Sequence, residues 1–240
     1  MRSGLKATVQ GLLRHRVGID VVRWPPPVTE DWRVVVALLP RLGVDTVLDV
    51  GAHRGESGTR LRRAGFEGRL ISFEPLPSAF QVLEQAARDD PRWTAVPIAL
   101  GSEDSERELV ERRWSELSSF LPVDEAGLAI AAEPRQAETT VRVPVRRLDS
   151  VLDDYTKERL FAKVDTQGYD LEVVRGAAGV LDRLAGLHLE LAVQQTYVGQ
   201  PDYLTVLAEL RGLGYEPVGF FREGDPCARI GELNGVFVRT

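Results

Sequence analysis

From residue 45 onward the chain alternates short apolar runs with stretches whose apolar residues recur every three or four positions. Thr46–Val50 (TVLDV), Arg69–Phe73 (RLISF) and residues 93–100 read as strands. Between them, 56–64 and 78–88 read as helices, the second with Phe80, Leu83 and Ala87 on one face. The rhythm resumes with a strand over 160–165, a helix over 169–180, a strand over 187–193 and a helix over 201–213. In that last helix Tyr203, Val206, Leu207 and Leu210 stand at helical spacing. Tyr215–Phe221 and 235–239 are candidate final strands, close enough in sequence to pair antiparallel at a sheet edge. Such alternation builds βαβ units, and so predicts an α/β fold with a mostly parallel sheet covered by helices on both faces.

Two stretches break the rhythm. Residues 1–45 read as a helix over 5–16, a stiff corner at Trp24-Pro25-Pro26-Pro27, and a helix over 31–42 capped by Thr29 or Asp31. Residues 102–148 hold two polar-alternating strands, 106–113 and 139–145, around a Ser/Glu/Ala-rich run with Pro122 and Pro134. The expected organisation is a helical cover (1–45) on one domain (46–240), with 102–148 as a lid-like insertion.

Composition narrows the function. Of 240 residues 43% are hydrophobic, enough for a packed core. Cys227 is the only cysteine, so neither an internal disulfide nor a multi-cysteine zinc site is available. The net charge of -6 argues against nucleic acid as a partner. It divides unevenly: residues 1–45 carry seven Lys/Arg and four Asp/Glu, so the acidity lies in the domain. The N-terminus lacks the apolar core of a signal peptide and the longest apolar run is far too short for a bilayer, so a cytoplasmic protein without an integral membrane segment is expected. Trp24, Trp32 and Trp114 fall in the appended segments as core, interface or acceptor-stacking residues, and a homodimer is one option for the assembly.

Three strand ends carry the chemistry. Val47-Leu48-Asp49-Val50-Gly51-Ala52-His53-Arg54-Gly55-Glu56 is a buried strand ending in an acid, then a glycine loop, then a helix. Gly51 and Gly55 allow a tight turn and close approach of a ligand, and ligands of open α/β sheets bind beyond the carboxyl ends of the strands. A dinucleotide loop wants glycine where His53 and Glu56 stand, and glutamate suits an ammonium better than a pyrophosphate. A glycine turn in any βαβ unit would read the same way. Glu74, before Pro75, ends the next strand where an acid can accept from both ribose hydroxyls. In Phe161-Ala162-Lys163-Val164-Asp165-Thr166-Gln167-Gly168-Tyr169-Asp170, alternation puts Lys163 and Asp165 on one face. A lysine inside an apolar strand needs a partner, and Glu190 in the neighbouring LHLELAV strand is the natural one. That pair is as readily structural as catalytic.

The runs VLDVGAHRGESG, ISFEP, LDSVL, FAKVDTQGYDLEVVRGA and HLELAV, in that order, resemble the FkbM-type S-adenosylmethionine-dependent methyltransferases. The most specific feature is K-x-D-x-[EQ]-G-[AY]-[DE]-x-E-V, here Lys163 to Val173; Ser118-Ser119 resembles the family's serine pair. The resemblance implies a Rossmann-like, class I methyltransferase sheet of seven strands with a final antiparallel strand. It implies O-methylation of a sugar, a glycosylated natural product or a polysaccharide precursor, with S-adenosylmethionine as cofactor. Carried over, Asp49, Gly51, Ala52 and Gly55 hold the methionine part, Glu74 and Pro75 the ribose side, and Ala99, Leu100 and Gly101 the adenine. Asp165 stands at the methyl group. His53 replaces a common asparagine and is either a catalytic residue or a tolerated variant. An alcohol must also lose its proton; Asp165, Glu190 or His53 is placed to take it, with Lys163 beside them. Asp165, Asp170 and Glu190 offer oxygens suited to Mg²⁺, although no spacing requires a metal. A non-catalytic cofactor-binding scaffold and a nucleotide-cofactor oxidoreductase are the rival readings; His53 and Glu56 count against the second.

Overall fold

The computed structural model describes residues 29–112, 118–124, 139–152, 158–222 and 229–240. The expected helix over 5–16, the proline corner, the centre of the insertion, Trp24, Trp114 and Cys227 lie outside these residues. The elements run α1 (Glu30–Arg41), β1 (Thr46–Val50), α2 (Glu56–Arg63), β2 (Arg69–Phe73), α3 (Pro77–Ala87), β3 (Trp93–Val96), β4 (Ala99–Leu100), β5 (Ser105–Glu111), β6 (Thr139–Arg146), α4 (Leu148–Val151), β7 (Leu160–Val164), α5 (Asp170–Arg175), β8 (Leu184–Ala192), α6 (Tyr203–Gly212), β9 (Tyr215–Phe221) and β10 (Glu232–Arg239).

Seven strands form one sheet in the order β3-β2-β1-β7-β8-β10-β9. β3, β2, β1, β7 and β8 pair in parallel, and β10 runs antiparallel to both β8 and β9. The central strands are apolar because both faces are covered: β1 and β7 are buried at every position. On one face Leu48, Ile71, Ala162 and Leu187 pack with Val173 and Leu210. On the other, Val47, Leu70, Phe161 and Val236 pack against Trp32, Val35 and Leu39 of α1 and Leu61 of α2.

The strand expected over 93–100 is two strands in two sheets. Pro97 has no N–H to continue the ladder, and Ile98 N–H turns back to the Val96 carbonyl at 3.0 Å. β4 then joins β6 and β5 in a separate three-stranded sheet. The two strands expected in the insertion thus build a small sheet beside the main one. The helix expected over 169–180 ends at Arg175 and is succeeded by a single 3₁₀ turn, Ala178–Val180. Thr29 stands at the N-cap of α1 without capping it through its side chain, and Asp31 lies inside the first turn with its carboxylate turned elsewhere. Among the described residues no helix is long and apolar enough to cross a membrane.

Candidate active site

The carboxyl ends of β1, β2, β7 and β8 open onto one cleft of about 560 Å³, a size suited to a cofactor-sized molecule. After β1 the chain turns at Gly51, with φ +71°; a Cβ there would lie 1.9 Å from the Asp165 carbonyl oxygen. Only glycine lets the first and third signal loops touch in this way. His53 holds φ +48° without being glycine. Its backbone N–H donates to Glu74 Oε2 at 2.8 Å, and its Nδ1 lies 3.4 Å from Glu56 Oε1. Glu74, at the end of β2, also accepts from Leu76 N–H on Oε1 at 2.9 Å. Burial holds its carboxyl above the ordinary range, although the Leu76 and His53 amides oppose this. The residue is thus fixed by backbone with its oxygens at the cleft wall.

Lys163 is buried in β7 and donates to the Gly51 carbonyl at 3.0 Å. Its ammonium lies 3.5 Å from Asp49 Oδ1 and 3.4 Å from Asp165 Oδ2. The pairing expected with Glu190 is not the one formed. The register sets Lys163 beside His188, and Glu190 lies two residues further along β8, beyond the ammonium. Burial alone would lower the Lys163 pKa, but the Asp165 and Asp49 carboxylates hold it above the usual lysine range. Asp49 is completely buried behind the cleft wall. Ser72 Oγ donates to its Oδ2 at 3.3 Å, and Trp93 Nε1 donates to that hydroxyl at 2.9 Å. Asp49 therefore neutralises Lys163 from below, which in turn steadies Asp165 and the Gly51 turn above.

Asp165 and Glu190 both face the cleft and are joined by one amide. Gln167 Nε2 donates to Asp165 Oδ1 at 3.1 Å and to Glu190 Oε2 at 3.3 Å. Tyr197 Oη donates to Gln167 Oε1 at 2.7 Å, which orients the amide, and Ser119 Oγ donates to the Gln167 carbonyl at 2.7 Å. Burial, and then the neighbouring carboxylates of Asp165, Glu232 and Asp170, push the Glu190 carboxyl well up. Sequence reasoning missed Gln167 and Tyr197 as site residues. Gln167 sits at φ +54°, and strand alternation does not predict where such a side chain points.

It also missed His188 and Asp31; Trp32 it names as a core, interface or acceptor-stacking residue. The signal for His188 was present: in LHLELAV it alternates with Glu190 and so shares its face. His188 and Trp32 line the cleft, and His188 Nε2 lies 3.0 Å from Asp31 Oδ2. Of the other expected residues, Ala52, Pro75, Ala99 and Leu100 line the cleft, with Ser118 and Phe120 from the small-sheet side; Gly55, Gly101 and Asp170 do not.

The three carboxylates named for Mg²⁺, Asp165, Asp170 and Glu190, do not form a ligand set. Asp170 spends both carboxylate oxygens within its own loop, accepting from Thr166 N–H and Oγ1 and from Gly168 N–H. Burial, and then the Asp165 charge, push its carboxyl up to about 6. Among the described residues no group of three or more His, Cys, Asp or Glu is placed to hold a metal.

The methyltransferase domain of METTL16 superposes with a TM-score of 0.50 at 11% identity, covering 98% of this chain and 79% of that one. At that identity the likeness speaks to the fold alone. An rRNA methylase from Streptococcus thermophilus gives 0.48 at 12% identity, with 88% and 98% covered. The magnesium protoporphyrin IX methyltransferase ChlM from Synechocystis, solved with SAM bound, gives 0.46 at 15%, with 98% and 97% covered. No curated protein matches the chain in sequence. The family model described as "Methyltransferase FkbM domain" matches residues 49–217, more than half of the chain. On that match the chain belongs to the FkbM methyltransferase family and is an S-adenosylmethionine-dependent methyltransferase.

Proposed function

We propose that the enzyme methylates a hydroxyl of a sugar, a glycosylated natural product or a polysaccharide precursor. The observation that carries this reading is the Asp165–Gln167–Glu190 group. Asp165, with the Lys163 ammonium beside it, accepts hydrogen bonds. Glu190, whose carboxyl burial and the neighbouring carboxylates push up, is the readier of the two to carry a proton and offer one. An acceptor and a donor side by side suit an acceptor bearing neighbouring hydroxyls. They do not suit an anionic group at that point.

The residues present fit the cofactor. A carboxylate held by two amides at the end of β2, here Glu74, suits a ribose diol. The backbone of Gly51, Ala52 and His53 borders the expected methionine end. Ala99 and Leu100 give an apolar wall for a purine. Lys163 is committed to Asp49, Asp165 and Gly51, so it adds no free cation to the cleft wall. Bound S-adenosylmethionine supplies a methyl group on a sulfonium, ready for in-line displacement. The chain's part is to hold the acceptor oxygen in line at near-contact distance. In these roles Asp165 and Glu190 orient the hydroxyl, Lys163 fixes Asp165, and His53 positions Glu74 through its backbone.

The test is incubation of the protein and S-adenosylmethionine with methyl glycosides and nucleotide sugars, and then mass spectrometry of the acceptors. Gain of one methyl on oxygen is expected. Methylation confined to nitrogen or carbon acceptors would overturn the reading.

A further inference from the structure

The side of α2 that faces the cleft carries Ser57 and, one turn further along, Arg60. Arg60 is partly exposed, and its guanidinium lies over the Trp32 ring of α1, 5.6 Å from the centroid. Trp32 is 2% exposed and is braced edge-on by His188, so this platform is fixed. Glutamate and arginine four apart on a helix ordinarily pair, yet Glu56 turns away from Arg60 and back to the glycine loop. Its Oε2 accepts from Arg54 N–H at 3.1 Å, and its Oε1 lies 3.4 Å from His53 Nδ1. Among the described residues no carboxylate lies within ion-pair distance of Arg60. Arg62, two positions on, is the contrast: Asp90 and the carbonyls of Phe66, Gly68 and Arg92 take up its guanidinium.

An aromatic face holds a guanidinium in place without neutralising it and without using the N–H groups at its edge. Arg60 therefore keeps its charge and its donors at the cleft. The glycine loop has no such donors to spare. Gly51 and Ala52 N–H both go to the Phe73 carbonyl, His53 N–H to Glu74, Arg54 N–H to Glu56 and Gly55 N–H to the Ala52 carbonyl. Lys163, the one lysine of the cleft wall, is committed to Asp49, Asp165 and Gly51. The methionine end of S-adenosylmethionine carries an ammonium and a carboxylate. The cleft acids suit the first and repel the second, and Arg60 is the cation left to meet it.

We propose that Arg60, held over Trp32, is the seat of the cofactor's carboxylate. The two N–H groups along one guanidinium edge match the two carboxylate oxygens. Anchoring this tail sets how far along the cleft the sulfonium lies, and so helps to bring the methyl carbon in line with the acceptor atom. The family match begins at residue 49, so Trp32 lies outside it, and α1 takes part in holding the cofactor. None of this depends on which atom accepts the methyl group.

Calorimetry without an acceptor tests this, with S-adenosylhomocysteine and its decarboxylated analogue, which keeps the ammonium. The wild type should bind S-adenosylhomocysteine at least about tenfold more tightly than the analogue, as a charged bidentate contact allows. Arg60→Gln should lose at least about tenfold toward S-adenosylhomocysteine and stay within about twofold toward the analogue. Arg60→Lys, which keeps the charge, should recover about threefold of that loss. Equal wild-type affinity for the two ligands overturns the proposal, and that comparison needs no variant to fold. So does an unchanged affinity of Arg60→Gln for S-adenosylhomocysteine, or an equal loss toward both ligands. A second arm separates an anion of the acceptor: turnover of glucuronides against neutral glucosides. If Arg60→Gln raises KM for glucuronides alone and leaves S-adenosylhomocysteine binding intact, the anion is the acceptor's and the proposal falls. The calorimetry decides whether or not any glycoside is methylated, so failure of the hydroxyl reading is told apart from failure of this one.

Discussion

Gly51 and Lys163 show how much one residue decides. Gly51→Ala would combine a left-handed backbone with a Cβ 1.9 Å from a carbonyl oxygen. The strain alone costs about 1–3 kcal/mol, and the clash adds to it. A clear drop in melting temperature and loss of S-adenosylmethionine binding by calorimetry are expected. Lys163→Met would leave Asp49 charged and fully buried, a loss of about 3–5 kcal/mol. Adding Asp49→Asn should return part of it in denaturant unfolding, because the uncompensated charge is then gone. Glu190 sets a pH dependence. Its folded pKa lies above the ordinary value, so its stabilising contribution is complete below the unfolded pKa and is lost as pH rises through the folded value. Glu190→Gln should therefore raise the melting temperature at about pH 8 and leave it unchanged at about pH 4, below the unfolded glutamate pKa of about 4.3. At this scale the glycine loop, Glu74 and Asp165 were legible because each lies at a strand end. The partner of Lys163 was not. Alternation gives the face of a residue but not the register between strands, and the register moved Glu190 two positions away.

The elements hold these residues through close packing of α2 on β2 and β3. Gly58, in the middle of α2, has no room for a side chain: a Cβ would lie 2.3 Å from Trp93 Cζ2 and 2.8 Å from Leu70 Cδ2. The Trp93 indole is tied to Ser72 and is not free to swing away. In an open helix, glycine to alanine gains roughly 0.5–1 kcal/mol. Gly58→Ala should instead destabilise by about 1–3 kcal/mol through overpacking, read as a shift in the urea midpoint. Thr46–Val50, Arg69–Phe73 and Tyr215–Phe221 were legible to the residue, because short apolar or aromatic runs between turn signals have few other readings. The strand expected over 93–100 ran through Pro97, although a proline within a run is itself a sign of a break. Beyond that break the chain enters a second sheet, and its entry depends on contacts with β6, more than thirty residues away in sequence.

For the whole molecule, the cofactor cleft joins strands that are distant in sequence, so ligand and fold are linked. Saturating S-adenosylmethionine at about 100 times its Kd should stabilise the protein by about 2.7 kcal/mol, seen as a rise in melting temperature. Glu74→Ala should abolish most of that rise while the ligand-free melting temperature falls only modestly. By itself the sequence determined the α/β class, the parallel core, the antiparallel pair at the sheet edge and the acids at the strand ends. These come from local periodicity and from the spacing of glycines and acids, which any fold of this chain must obey. The tertiary structure alone decided which buried charges meet: Lys163 with Asp49 and Asp165, Gln167 with both cleft acids, and His188 with an aspartate 157 positions earlier on α1. Those choices depend on strand register, on a left-handed residue and on how α1 docks, and each is set by packing over the whole sheet.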